Sequence, residues 1–231
     1  RELQADLETL KARAKLVSIR TMLINHVRGV LKSFGIQVKS CYTRGFHKVA
    51  EDCIPEELKP GLIPILQTLE EITAKIQGYD KTIQAVSQEK YETEVSSTQQ
   101  VNGVGPVTAL TFVLSLGDPH RFKKSRDVGS YLGLRPRRCE SGDSAPDLAI
   151  TKAGDRRLRR LLIQCAHYIL GPFGQDSDLR RWGLRKAEGG KRQKKGAIVA
   201  VGKKLAVLLH RLLVTGEVYE PLRNAETKRA A

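Results

Sequence analysis

From Leu58 to Val86 apolar side chains return in alternating steps of four and three residues: Leu58, Leu62, Ile65, Leu69, Ile72, Ile76, Tyr79, Ile83 and Val86. Such a run specifies a helix with a narrow apolar seam, stable in water only against a second helix. A weaker stripe comes earlier, at Leu3, Leu7, Leu10, Ala14, Val17, Ile24 and Leu31, with polar Thr21 and Arg28 interrupting it. Between the two, residues 32–60 carry Gly35, Gly45 and Pro55, enough to break the helix and reverse the chain. The expectation is an antiparallel coiled-coil helical hairpin over 1–96. At 1.5 Å per residue it would be roughly 45 Å long. A seam of that length is expected to support a homodimer or higher oligomer, with pairing wholly inside one chain as the alternative.

Charge separates the chain in two. Residues 1–100 hold 14 Lys/Arg against 13 Asp/Glu, and residues 101–231 hold 26 against 12, so of the net +15 the second part carries +14. A field of that size draws a polyanion and releases its counterions, which points to nucleic acid ahead of an anionic membrane. Solubility alone does not require such segregation. No apolar run reaches the ~20 residues that span a bilayer, and no signal-peptide pattern opens the chain, so the expected place is the cytoplasm, at the nucleoid. Cys41, Cys53, Cys139 and Cys165 lie far apart without a CxxC pair, and the five histidines are scattered, so no protein-only metal site and no disulfide framework is expected. Aromatics make up 5%, which argues against a stacking platform for single strands.

The second part, 97–231, reads as a small, mostly α DNA-binding domain. Gly103-Val104-Gly105-Pro106 opens an apolar helix, and backbone N–H groups at such a turn can hold a phosphate. The pattern is that of a helix-hairpin-helix element, although two glycines also serve tight turns with no ligand. Ser125 is placed to cap a short helix through Val128 and Leu132. A loop from Leu134 to Gly154 follows, and then Asp155 caps a helix with the apolar face Leu158, Leu161, Leu162, Cys165, Ala166 and Ile169. Arg159 and Arg160 are assigned to that helix's solvated side. Arg180 to Lys195 reads as a mobile basic arm, and a final helix spans about Ala197 to Val214.

The loop residues Arg135 to Ser144 surround small hydroxyls with guanidinium groups. A serine there could attack a phosphodiester, the cations stabilising the charge that grows on the phosphate. From composition alone a loop serine beside glycine is more often a turn residue.

The ordered set Gly103-Val104-Gly105-Pro106, Pro136, Ser141-Gly142 and Ile150-Thr151-Lys152-Ala153-Gly154-Asp155-Arg156-Arg157-Leu158-Arg159-Arg160-Leu161-Leu162 resembles the C-terminal domain of the insertion-sequence one-ten transposases, the bridge-RNA-guided recombinases of bacterial mobile elements. That family also places a coiled-coil hairpin before this domain. The resemblance implies a site-specific DNA recombinase in which Ser141 forms a covalent link to DNA. Gly103, Gly105, Arg137, Arg138, Gly142, Lys152, Arg156 and Arg157 then become candidate contacts to DNA or guide RNA. Glu140 stands where many members carry another serine.

The family's complete enzyme also has an N-terminal RuvC-like domain whose four acidic residues bind Mg²⁺. Here Glu2, Asp6 and Glu8 fall on a helical repeat, so this chain is expected to lack that domain and to bind no Mg²⁺ alone. Two readings follow. In one, a transposase portion binds element DNA and supplies a serine nucleophile for strand cleavage and exchange. In the other, a non-enzymatic dimeric nucleic-acid-binding protein regulates or inhibits transposition.

Overall fold

The computed structural model describes residues 2–137 and 148–224. The protein is mostly α, and the described residues contain no strand beyond one isolated bridge. The chain divides into two compact units, residues 1–86 and 87–231.

The first unit is a helical hairpin. Helix α1 (Glu2–Ser33) runs out, α2 (Phe46–Glu51) lies in the connection, and α3 (Lys59–Lys90) returns. Their register can be read from one ion pair, Arg13 Nε to Asp80 Oδ1 at 2.7 Å. Counting equal steps up α1 and down α3 from that pair brings Ile24 level with Leu69, Val27 with Leu66 and Leu31 with Leu62, and all six belong to one buried cluster. The seam of α3 is thus covered within the chain. Val38, Phe46, Ala50 and Ile54 of the connection complete the cluster, and the Arg28 guanidinium lies over the Phe46 ring.

The seam on α1 follows the expected stripe at Leu10, Ile24 and Leu31 and departs from it at the alternate positions. Arg13, Arg20 and Val27 recur at intervals of seven and face α3, whereas Leu3 is 39% exposed. Arg20 Nε is buried without a hydrogen-bond partner, and burial beside Arg13 holds that guanidinium's pKa below its ordinary value. Polar residues at seam positions fix register more than they add stability. They also hid the alternate seam positions from a reading based on apolar residues. The Thr21 hydroxyl, by contrast, donates to its own helix at Val17 O and is exposed.

The second unit is a helical bundle made of α4 (Glu92–Gln99), α5 (Pro106–Leu116), α6 (Arg126–Tyr131), α7 (Arg156–Leu170), α8 (Asp178–Ala187) and α9 (Lys191–Thr215). Helix α9 packs against α4, α6, α7 and α8, burying Ala197, Val201, Leu205, Leu209 and Leu212. Helix α5 is buried nearly all round, as its uncharged and largely apolar sequence allows, and packs on α4 and α7. Ser97 Oγ donates to Leu212 O, tying α4 to the end of α9.

Three local expectations are corrected. The segment 180–195 is mostly helix: Ser177 caps α8 by accepting from Arg180 N, and after Gly189 and Gly190 the chain enters α9 at Lys191. A helix that buries Gly183 and part of Trp182 has a packing face, which the high charge of the sequence concealed. Ser125 does not cap α6. Its hydroxyl meets His210 Nδ1 at 3.0 Å, while the His210 Nε2–H donates to Pro119 O at 2.8 Å, so a buried imidazole joins α9 to the segment before α6. Arg159 is buried, as described below.

No helix among the described residues is long and apolar enough to cross a membrane. For the hairpin, Leu31→Ala is expected to lower stability by about 2–5 kcal/mol because that side chain is fully enclosed. Leu3→Ala should stay within about 0.5 kcal/mol. Urea denaturation followed by circular dichroism separates the two cases, and equal effects would contradict the observed phase.

Candidate nucleic-acid interface

Between α6 and α7 the described residues form two arms, 132–137 and 148–155. Arg137 N donates to Ala149 O at 3.0 Å, Thr151 N to Arg135 O at 2.9 Å and Lys152 N to Gly133 O at 3.1 Å, with Pro136 and Ile150 forming an antiparallel bridge. These bonds close the foot of a loop, and glycine is required where the arms touch. A Cβ on Gly133 would stand 2.2 Å from Ala153 O, and one on Gly154 the same distance from Tyr131 O; both residues have positive φ.

Arg159 locks this foot. Its side chain turns inward, 8% exposed, and Nη1 donates to Leu132 O at 2.9 Å and Ala153 O at 2.6 Å, one carbonyl on each arm. Assigning Arg159 to the solvated side of α7 was therefore wrong: a long basic side chain can reach past a helix's apolar face to satisfy loop carbonyls, which helical periodicity does not reveal. Asp155 is the N-cap expected of it. Oδ1 accepts from Arg157 N at 2.7 Å and Leu158 N at 3.0 Å, and Oδ2 accepts from Ser115 Oγ of α5 at 3.2 Å.

The sequence-derived contact residues fall in two places. Arg137 and Lys152 lie on the paired arms, both exposed, Lys152 with φ of 60°. Arg156, exposed, and Arg157, partly buried with Nη2 3.9 Å from Asp155 Oδ2, begin α7 beside them. Gly103 and Gly105 belong to the other end of α7. Gly103 has φ of +92°, and a Cβ there would strike Tyr168 Cδ1 at 2.7 Å. Tyr168 is about 18 Å along the helix from Arg156, at 1.5 Å per residue. Gly105 begins α5 with no side-chain cap. Ser141, Gly142, Arg138 and Glu140 lie outside the described residues.

Sequence reasoning missed a groove of about 1680 Å³ within the second unit. One wall is the loop foot, with Leu134, Pro136, Leu148 and Ile150; the others are α8, with Leu179 and Trp182, and the outward side of α9, with Val207 and Leu208. Around this apolar floor stand Arg185, Lys186, Arg192, Lys195, Lys203 and Lys204. The ion pairs of this unit among the described residues engage other cations, including Arg157, Arg181, Arg211 and Arg223, so those six have no carboxylate partner. Asp178, Glu217 and Glu220 also line the groove, and the cations still outnumber them, which leaves a net attractive field for a polyanion. The signal was present in the sequence as the run 180–195. Only helix formation turns it into a surface, by placing its cations on two helices that face one opening.

A family model described as the Transposase IS116/IS110/IS902 family matches residues 96–176, the stretch holding the Gly103 turn, the loop foot and α7. The chain is 33% identical over 223 residues to the transposase for insertion sequence element IS1111A of Coxiella burnetii, covering 94% of this chain and 60% of that protein. The chain belongs to the IS116/IS110/IS902 transposase family. A probable family 20 transposase of Pseudomonas aeruginosa is 29% identical over 228 residues, covering 95% of this chain and 66% of the relative. The transposase for insertion sequence element IS1328 of Yersinia enterocolitica is 33% identical over 190 residues, covering 74% and 52%. This member of the transposase family thus spans under two thirds of the length of those curated relatives.

The Mg²⁺ that the resemblance implies needs a cluster of oxygen ligands. Among the described residues, no three His, Cys, Asp or Glu side chains gather as a metal site, and Asp155, the carboxylate nearest the loop foot in sequence, is engaged as a cap.

Arg159→Met is expected to destabilise the second unit by about 2–5 kcal/mol, since it strips two carbonyls of a charged donor. Arg160→Ala, on the exposed side, should cost less than about 0.5 kcal/mol. Denaturation of the two variants checks this, and similar midpoints would contradict the clamp.

Proposed function

We propose that this chain is the coil and serine-bearing portion of a transposase, that its second unit binds element DNA and a guide RNA along the groove between the loop foot and helices α8 and α9, and that Ser141 supplies the nucleophile. The observation that carries this reading is the set of six unpaired cations lining a groove whose wall is the foot of the loop bearing Ser141. Phosphates that follow those cations are led toward that loop. Family membership supplies the reaction class, and transposition of an insertion sequence requires DNA as partner.

In the proposed step, Ser141 Oγ attacks a phosphodiester phosphorus as its proton leaves to a base. The P–O bond to the departing strand breaks, and a phosphoserine link holds the other strand end. Arg137, Arg138 and Lys152 neutralise the charge that develops on the phosphate oxygens. The Arg159 clamp and the close approaches of Gly133 to Ala153 and of Gly154 to Tyr131 limit movement of the loop's foot. The Gly103–Gly105 turn, at the far end of α7, provides a separate backbone contact to phosphate. Self-association through the hairpin belongs to the same proposal, its outer faces being what remains once α1 has covered the seam.

Two measurements test it. Binding of the chain to element-end DNA should weaken steeply with salt. Lys195→Ala and Arg192→Ala should each lower affinity uniformly across sequences and reduce the salt slope by about one. Unchanged slopes would remove the groove from the interface. In a full-length relative carrying the equivalent loop, replacing the serine matching Ser141 with alanine should abolish the covalent protein–DNA adduct while leaving DNA affinity within about threefold. Retained adduct would overturn the nucleophile. Salt-sensitive binding with no adduct from the unaltered full-length protein would favour the non-enzymatic reading.

A further inference from the structure

We propose that Trp182 is a stacking face for one unpaired base of the nucleic acid in the groove, and that Lys204 covers this face until the base arrives. The inference rests on the reading of the groove as a nucleic-acid interface. Trp182 is the chain's single tryptophan, and it lines the groove from α8, partly exposed. Lys204 reaches across from α9 with Nζ 3.7 Å from the ring centroid, a cation lying on the face of the indole.

Among the described residues Lys204 has the indole as its charge-binding partner. It has no carboxylate partner among the described residues, and partial burial lowers its pKa, a sign that its charge is incompletely hydrated where it sits. A phosphate oxygen is a better partner than a π face, because it accepts a charge-assisted hydrogen bond. A backbone phosphate reaching α9 therefore draws the ammonium off the ring by rotation of a flexible four-carbon stem. The vacated indole face is apolar, flat and flanked by cations, which matches a nucleobase attached to its phosphates.

The number of rings sets the number of bases. The groove's other aromatic, Tyr219, is half buried with its hydroxyl bonded to Ser177, and the rest of the floor near Trp182 is aliphatic. A paired duplex presents base edges and phosphates to a protein surface, not base faces. One accessible ring therefore fits one base that is out of its pair, in otherwise paired nucleic acid. This agrees with the scarcity of aromatics, which excludes a platform for a run of single strand.

The test uses the 231-residue chain with two labelled DNA probes: a short blunt duplex, and the same duplex with one unpaired adenine. Anisotropy reports binding, and the sole tryptophan reports the ring. The unpaired-base duplex should quench Trp182 fluorescence over the concentrations at which anisotropy rises, while the fully paired duplex binds with little quenching. Trp182→Ala should weaken binding of the unpaired-base duplex by about 5- to 150-fold and that of the paired duplex by less than about twofold. Trp182→Phe, which keeps a ring, should restore most of the preference and so separates stacking from damage to the fold. Lys204→Gln should weaken both probes alike. Binding of both probes with equal quenching, or with none, overturns the stacking role and leaves the groove standing. Failure of either probe to bind overturns the groove and this inference with it.

Discussion

Helix α9 has to be buried and exposed at once, and the second unit is arranged around that demand. Val201, Leu205 and Leu209 are enclosed because α4, α6, α7 and α8 close around them. The same helix begins with Lys191, Arg192, Lys194 and Lys195 and turns Lys203 and Lys204 outward, charges that no neighbour could enclose without a partner. Sealing α9 on every side would leave buried cations unpaired, and freeing it would expose its leucines. An open groove bordered by α8 and the loop foot satisfies both conditions. The apolar floor and cationic rim are two sides of one helix.

The loop foot depends on a second arrangement of the same kind. Loop carbonyls that turn away from water need donors, and Arg159 provides one guanidinium for two of them. Asp155 satisfies the first amides of α7 and holds Ser115 of α5, so the loop is fastened to the most deeply buried helix of the unit. The paired arms on either side of residues 138–147 are thereby held to the core.

The sequence made the hairpin legible because heptad spacing survives in α3, and it made α7 legible because Asp155 and the apolar face agree. It placed Leu10, Ile24 and Leu31 in the seam of α1 but missed the alternate positions, where Arg13 and Arg20 stand in place of apolar residues. It could not place Arg159, since an arginine on a helix next to other arginines has the same pattern whether its head meets water or carbonyls. The charge of 180–195 was visible, but its meaning was not. Ser177 caps that run locally, while Gly183 and Trp182 give it a packing face through Leu170, Val201 and Lys204, which lie further off in sequence. The family was legible from the order of short motifs around the loop, a signal that lies in spacing and needs no tertiary contact.

The central claim is that polyanion binding occurs on the α8–α9 groove. Lysine acetylation footprinting of the chain with and without element-end DNA tests it most directly. DNA should protect Lys186, Lys195, Lys203 and Lys204 while Lys11, Lys75 and Lys81 of the hairpin react as before. Protection confined to Lys152, with the groove lysines as reactive as in the free protein, would contradict the account.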